Sequence, residues 1–267
     1  MSFQPVLPAG GLAGWRFLQR TLESQTAAFD KGVQITRDTD YFLETIGQIE
    51  TVEQLVADRR LLRVALGAYG LQDEIDNRYF IRKVLEEGTA DPDALANRLA
   101  DDRFKTFSRA FGFGDFPVPN TGLSDFAPRV VALYRRQQFE LAVGEQNGAM
   151  RLALNAQRQL PDLTESSSSD TTKWLRVMGT APLREVFEVA LGLPKSFGRI
   201  DLDKQLEVFQ DKARAQLGIE TFDDLAQPDI RDKLIQRYLL RNQVAEAAAP
   251  SAGAIALSLL QSMPRPG

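Results

Sequence analysis

The sequence predicts an all-α protein in which duplicated helix–turn–helix repeats form a helical bundle, with a flexible N-terminal arm and a C-terminal tail. Three observations predict it. Apolar residues recur at i, i+3, i+4, i+7 and i+8, the spacing of one helix face. Nothing alternates with period two over the length of a strand, so little or no sheet is expected. One block of about 75 residues occurs twice, the mark of a repeat architecture.

Residues 1–30 form the arm. A Pro/Gly stretch leads into an amphipathic segment in which Leu12, Trp15, Leu18, Leu22 and Phe29 share a stripe. Gly10-Gly-Leu-Ala-Gly14 lacks both the preceding strand and the following Gly-Lys-Ser/Thr of a phosphate loop, so it reads as part of a flexible arm. Trp15, Leu18 and Leu22 lie outside the repeats and are candidate partner-binding residues.

The first repeat spans 31–113 and the second 166–245. Asp38-Thr-Asp-Tyr-Phe-Leu-Glu-Thr-Ile-Gly47 matches Asp170-Thr-Thr-Lys-Trp-Leu-Arg-Val-Met-Gly179 in register. Next, Leu61, Val64, Ala65, Ala68 and Tyr69 line up with Leu183, Val186, Phe187, Ala190 and Leu191, one buried helix face in each copy. Gly70 and Gly192 then fall where a helix ends on a left-handed residue. Segment 80–88 parallels 209–218, each closing on glycine. Asp91 as N-cap with Pro92 at the first helical position marks the next start. Phe104, Phe107, Ala110 and Phe111 parallel the apolar face of 230–240. Within the first copy, Ile49-Glu-Thr-Val-Glu-Gln-Leu55 also matches Ile219-Glu-Thr-Phe-Asp-Asp-Leu225, so each copy reads as two halves.

Residues 114–165 are expected to form a connecting loop and a long helix, capped by Ser124 or Asp125 and broken near Gly144 and Gly148. Ser166 to Ser169 is a polar linker. Residues 246–267 carry a low-complexity linker and a short apolar segment, Ile255-Ala-Leu-Ser-Leu-Leu-Gln-Ser262. An isolated helix that short is marginal in water. Ile255, Leu259 and Leu260 are therefore candidate partner-binding residues, docking on the protein's own core or on another chain.

Composition removes whole classes of chemistry. The chain has no cysteine and no histidine, so disulfides, thiolate zinc sites, Ser–His–Asp triads and His bases are excluded. Lys plus Arg total 32 against 36 Asp plus Glu, a net charge of −4, which argues against a nucleic-acid partner. Segment 1–14 has no basic n-region or apolar h-region, so no Sec signal is expected and the chain is expected to be made in the cytoplasm. No apolar run approaches the roughly 20 residues that span a bilayer, so no membrane insertion is expected.

The remaining polar motifs read as structural. Asp38-Thr-Asp40, Asp91-Pro-Asp93 and Asp201-Leu-Asp203 lack the further oxygens and distal Glu of a calcium loop and read as helix N-caps and acidic first turns. Glu86-Glu87, Asp101-Asp102 and Asp223-Asp224 contain enough carboxylates for glycoside hydrolysis but sit in helix-start or helix-end contexts. Arg59, Arg60, Arg63, Arg135 and Arg136 are diluted by acidic neighbours and read as salt-bridging faces. No catalytic residue, metal, cofactor or small-molecule ligand is expected.

Several runs carry a family resemblance: Gly11-Leu-Ala-Gly-Trp-Arg-Phe-Leu-Gln-Arg-Thr21, Leu66-Gly-Ala-Tyr-Gly-Leu71, Lys83-Val-Leu-Glu-Glu-Gly88, Ala94-Leu-Ala-Asn-Arg-Leu-Ala-Asp101, Phe111-Gly-Phe-Gly114 and Ala256-Leu-Ser-Leu-Leu-Gln261. Together they resemble an alphaproteobacterial family of proteins of unknown function, family 1217. Members are often encoded beside flagellar genes. The resemblance implies a non-catalytic structural or assembly protein of the flagellum, with flagellar components or copies of itself as partners and the flagellum or its basal body as location. It brings no catalytic residues. A cytoplasmic export chaperone or regulator of flagellar assembly is the alternative expectation, and a carboxylate-based cell-wall hydrolase a third. The last requires two cleft carboxylates about 5–9.5 Å apart.

Overall fold

The helical spacing is realised along the chain in a computed structural model that describes residues 3–99 and 101–248. Among the described residues there are thirteen α-helices and no strand. The described residues fall into two compact units, one of 3–8 with Phe17–Arg151 and the other of Ala9–Arg16 with 152–248. The stretch 114–165, expected as a connector, is divided between them.

The first unit is built around α4 (Arg59–Ala68). Leu61, Leu62, Val64, Ala65, Leu66 and Ala68 are all buried, so this helix is apolar on more than one side and needs cover on each. The cover comes from α2 (Val33–Thr45), α3 (Val52–Ala57) and α8 (Phe126–Gln146). Burying one such Leu or Val contributes about 1.5–3 kcal/mol before conformational entropy is charged. The closest approach is at Gly67, where a β-carbon would lie 2.8 Å from the Tyr134 ring of α8. Tyr134 is itself buried, so the ring has nowhere to go. Alanine favours helix over glycine by about 1 kcal/mol, yet Gly67→Ala is expected to destabilise the unit by about 1–3 kcal/mol. A urea midpoint that rises on this substitution contradicts the packing.

Asp58 starts α4 by accepting hydrogen bonds from Arg60 N (2.9 Å) and Leu61 N (3.1 Å), and Tyr41 Oη donates to its other oxygen at 2.6 Å. Partial burial by itself raises the carboxyl pKa. The bonds from Tyr41, Leu61 and Arg60 outweigh it and hold the group below its ordinary value. A carboxyl held low in the folded state adds stability above its unfolded pKa, near 4, and loses it as pH falls through the folded value. Asp58→Ala should therefore cost about 1–2 kcal/mol at pH 7, and the gap to wild type should close in unfolding curves taken in acid. A gap that stays constant from pH 7 into acid would contradict this reading.

Around α5 (Arg78–Glu87), α6 (Leu95–Arg98) and α7 (Asp102–Phe111) the filling is aromatic. Phe111 meets Phe107 and Phe126 at ring-centroid distances of 4.9 Å, and Phe80 meets Phe104 edge-on at 5.1 Å. The buried Ser108 hydroxyl donates to Val84 O at 2.8 Å and ties α7 to α5.

The second unit holds α10 (Asp170–Gly179), α11 (Ala181–Leu191), α12 (Leu202–Leu217) and α13 (Pro228–Ala248). The residues aligned with the α4 face, namely Leu183, Val186, Phe187, Ala190 and Leu191, are all buried. Gly192 and Gly218 end α11 and α12 with φ of 66° and 78°, left-handed as their position predicts. Trp174 meets Phe187 at 5.7 Å and Phe222 at 5.2 Å, both edge-on. The buried Lys173 ammonium donates to Thr164 O (2.9 Å) and Asp223 Oδ1 (2.6 Å), which satisfies a charge otherwise costly to bury.

The two short matched boxes have the same geometry. Thr51 and Thr221 sit at φ/ψ of −128°/155° and −127°/157°. In each, the residue three on (Gln54 or Asp224) accepts from two successive backbone amides, those of Glu50 and Thr51 or of Glu220 and Thr221. Each box packs on the helix that follows it, α4 or α13.

The two segments read as parallel, α7 and α13, take different places in the packing. α13 packs along α11, whereas α7 packs on α5 and α6, and α8 lies along α4 instead. Apolar spacing identifies a buried face and says nothing of which helix covers it. Two starts also differ. Asp38 lies inside α2, buried and bonded to Gln34 and Arg63, instead of capping a helix. At Asp91 the chain makes a turn, with Asp93 N donating to Asp91 Oδ1 (2.8 Å), and the helix begins only at Leu95.

Candidate functional site

The N-terminal arm is not the free element expected from its sequence. Residues 11–30 form α1 (Gly11–Asp30). Trp15 and Leu18 are buried at 5% and 0% exposure, and Leu22 is half-buried, so the stripe is spent within the chain. The segment before it is tied down as well. The Gln25 amide accepts from Val6 N (2.6 Å) and donates to Val6 O (3.2 Å), while Gln146 donates to Pro5 O (2.7 Å). Amphipathicity requires that something cover the stripe, and here the protein supplies the cover. The other three partner-binding candidates, Ile255, Leu259 and Leu260, lie outside the described residues. The start of the expected linker does not: residues 246–248 continue α13, in keeping with their alanine content.

Five of the six carboxylates in the acidic pairs are spoken for. Glu86 pairs with Arg82 at 2.6 Å. Glu87 accepts from Leu95 N and pairs with Lys83 at 3.5 Å. Asp101 caps α7 and pairs with Arg103 at 2.6 Å. Burial alone would raise its carboxyl pKa, but the bonds from Arg103 hold it below the ordinary range. Asp223 neutralises Lys173, and Asp224 belongs to the capping box. None of these six carboxylates is buried. Asp201 caps α12. Among the described residues, no cluster of three or more acidic side chains could hold a metal ion. Two of the basic spots resolve in the same way: Arg59 pairs with Asp76 at 2.6 Å and Arg63 with Asp38 at 3.3 Å, while Arg60 stacks 3.9 Å over the Tyr41 ring.

Three of the motifs that carry the family resemblance meet in one place. After α5, Gly88 turns the chain with φ of 67°. The backbone of Gly114 lies directly against it, so close that a β-carbon on Gly114 would fall on Glu86 O and Gly88 N and within 2.7 Å of Gly88 Cα. The next residue, Asp115, then receives Thr89 N (2.5 Å), Ala90 N (2.8 Å) and Thr89 Oγ1 (2.9 Å). Asn97 donates to Thr89 O and Asp91 O from the other side. Asp115 was no sequence candidate. Its partners are 25 and 26 residues away, beyond the reach of local sequence pattern.

That junction presents an apolar loop. Beyond Asp115, Phe116 and Val118 are 53% and 75% exposed. On the far side, Asn120 donates to Ala110 O (3.0 Å) and the buried Thr121 hydroxyl to Ile49 O (2.6 Å). A Phe-Pro-Val-Pro run is thereby held at both ends with its apolar side chains facing water.

These features define an all-α protein whose motif residues build a backbone junction beneath an exposed loop. The chain belongs to the family described as "Protein of unknown function (DUF1217)", whose model matches residues 68–230. It is also similar to the crystal structure of a protein from Agrobacterium tumefaciens, with 26% identity and a TM-score of 0.73, covering 91% of this chain and 99% of that one. No protein with a curated description matches. No helix among the described residues is long and apolar enough to cross a membrane.

Proposed function

We propose that this protein is a non-catalytic structural or assembly component of the bacterial flagellum that works by binding other proteins. The observation carrying the non-catalytic part is the use made of its polar residues. The motif residues Gly88, Asn97 and Gly114, with Asp115 beside them, hold backbone to backbone, and five of the six paired carboxylates are occupied by caps and cations. A carboxylate-based hydrolase needs two carboxylates left free to face each other across a cleft, and five of these six are engaged in caps or ion pairs. The binding part draws support from the exposed Phe116 and Val118, apolar groups braced on the surface instead of folded inward. The flagellar part rests on the family resemblance and the flagellar genes beside its members.

Deleting the gene is expected to abolish or strongly reduce swimming, with recovery from a plasmid copy. A plasmid copy carrying Phe116→Ser and Val118→Ser should still fold, losing no more than about 1 kcal/mol because both side chains are largely exposed, and should restore motility poorly. Unchanged swimming in the deletion strain under several growth conditions would sink the flagellar reading.

A further inference from the structure

The apolar loop at 116–118 continues a row of charge on α7. Lys105 and Arg109 are both exposed and stand one turn apart, and Gly112, which closes the helix, continues their row at i+7. The Phe116 ring lies over that glycine: a β-carbon on Gly112 would stand 2.8 Å from it. Phe116 N also donates back to Gly112 O at 3.1 Å, which fixes the ring at the end of the row. Lys105 and Gly112 are about 10 Å apart along the helix, and the exposed Val118 follows two residues after Phe116. Among the described residues, neither the Lys105 nor the Arg109 side chain makes an ion pair or hydrogen bond. Nearby cations do. Arg103 on the same helix pairs with Asp101 at 2.6 Å, Lys83 on α5 with Glu87 at 3.5 Å and Arg129 on α8 with Asp125 at 3.0 Å. The acids closest in sequence offer Lys105 and Arg109 no partner. Asp115 holds Thr89 and Ala90, and Asp102 lies at the start of α7, about 15 Å from Gly112.

We propose that Lys105, Arg109, Phe116 and Val118 form one surface that binds an acidic amphipathic segment of a partner protein, its carboxylates on the two cations and its large apolar side chains on the loop. The proposal rests on the binding role given to this loop above and adds the chemistry of the partner. Charge selects the occupant. An acidic segment meets two cations that no carboxylate of this chain occupies, so it gains attraction without displacing an existing pair. Burial of Phe116 and Val118 supplies the apolar part of the contact. The spacing suits a helix that carries acids one turn apart and apolar residues a turn beyond them. The loop is already braced by Asp115, Asn120 and Thr121, so little ordering is left for binding to impose. Nucleic acid is a poorer match, because the row holds only two cations on a chain of net charge −4 and ends in exposed apolar groups.

Full-length protein is panned against a library of random dodecapeptides, and the enriched peptides are titrated by fluorescence anisotropy. The expected result is peptides rich in Asp or Glu together with Leu, Ile or Phe. Their affinity should fall about tenfold when Lys105→Glu and Arg109→Glu are combined, and should fall again as salt is raised. Phe116→Ser with Val118→Ser should weaken the same peptides. Peptides in which lysine replaces the acids should lose the wild-type protein and bind the Lys105→Glu, Arg109→Glu variant, a rescue that a misfolded variant cannot give. Enriched peptides without acidic bias, affinities indifferent to the charge reversal, or no enrichment at all would each overturn the assignment. Tighter binding of a labelled random-sequence DNA would give the surface to nucleic acid. Self-association of the full chain that Phe116→Ser and Val118→Ser abolish would give it to a second copy, and either result overturns the proposal. These outcomes are distinct from the swimming assay. Normal swimming in the deletion strain would remove the flagellar role and leave the peptide affinities standing, whereas neutral peptides would remove the acidic partner and leave a swimming defect in place.

Discussion

Phe187→Ala is expected to destabilise the second unit by about 3–5 kcal/mol, a large part of the stability of a domain of this size. Phe187 has no exposed surface and sits at the centre of α11. Its ring meets Trp174 edge-on at 5.7 Å and stacks with Phe209 at 6.4 Å, so it joins α10, α11 and α12. Those neighbours are large and pinned. The Trp174 ring is held on its other side by Phe222, whose amide donates to Asp170 Oδ1 at 2.6 Å. Collapse into the vacated space is therefore restricted, which places the cost toward the upper part of the range. Leu175→Ala, on the outer side of the same layer at 36% exposure, should change stability by less than about 1 kcal/mol. Urea unfolding of both variants checks the contrast. A Phe187→Ala loss below about 1 kcal/mol means that the α11 face has been misread.

Gly114→Ala should be comparably damaging for a different reason. Gly114 does not adopt a positive φ, so alanine there carries no conformational strain and would by itself stabilise by about 0.4–1 kcal/mol. The obstacle is space. The new methyl would meet Glu86 O and the Gly88 backbone, and main-chain atoms cannot step aside as a side-chain tip can. Opening that contact also pulls Asp115 away from Thr89 and Ala90. Overpacking of about 1–3 kcal/mol and the lost charge-assisted bonds together should cost about 3 kcal/mol or more. Asp115→Ala alone should cost about 2 kcal/mol. Because both changes break one junction, the double variant should lose clearly less than the sum. Strict additivity would mean that the two residues act separately.

What could be read from the sequence follows from how far apart the interacting residues lie along the chain. The α4 and α11 faces and the glycines at 192 and 218 are set within one or two helical turns, and their spacing alone identifies them. The two Thr boxes are local for the same reason. Asp38 was misplaced because its ion-pair partner, Arg63, is 25 residues on. Lys173 looks like an ordinary surface lysine until Asp223 is brought to it across 50 residues. The Asp115 junction was hidden in the same way, although the glycines on either side of it mark a place where backbone meets backbone. Trp15 and Leu18 show a further limit: an apolar stripe demands cover, and only the fold says that the cover comes from this chain.

The proposal stands most directly on where the protein resides in the cell. A chromosomally tagged copy that restores swimming should be followed through purification of intact flagella with their hook–basal bodies. Co-purification of the tag with these structures, resistant to a high-salt wash, is the result expected of a flagellar component. A tag confined to the cytosolic fraction, with none in the purified organelle, would contradict it and favour a chaperone or regulator.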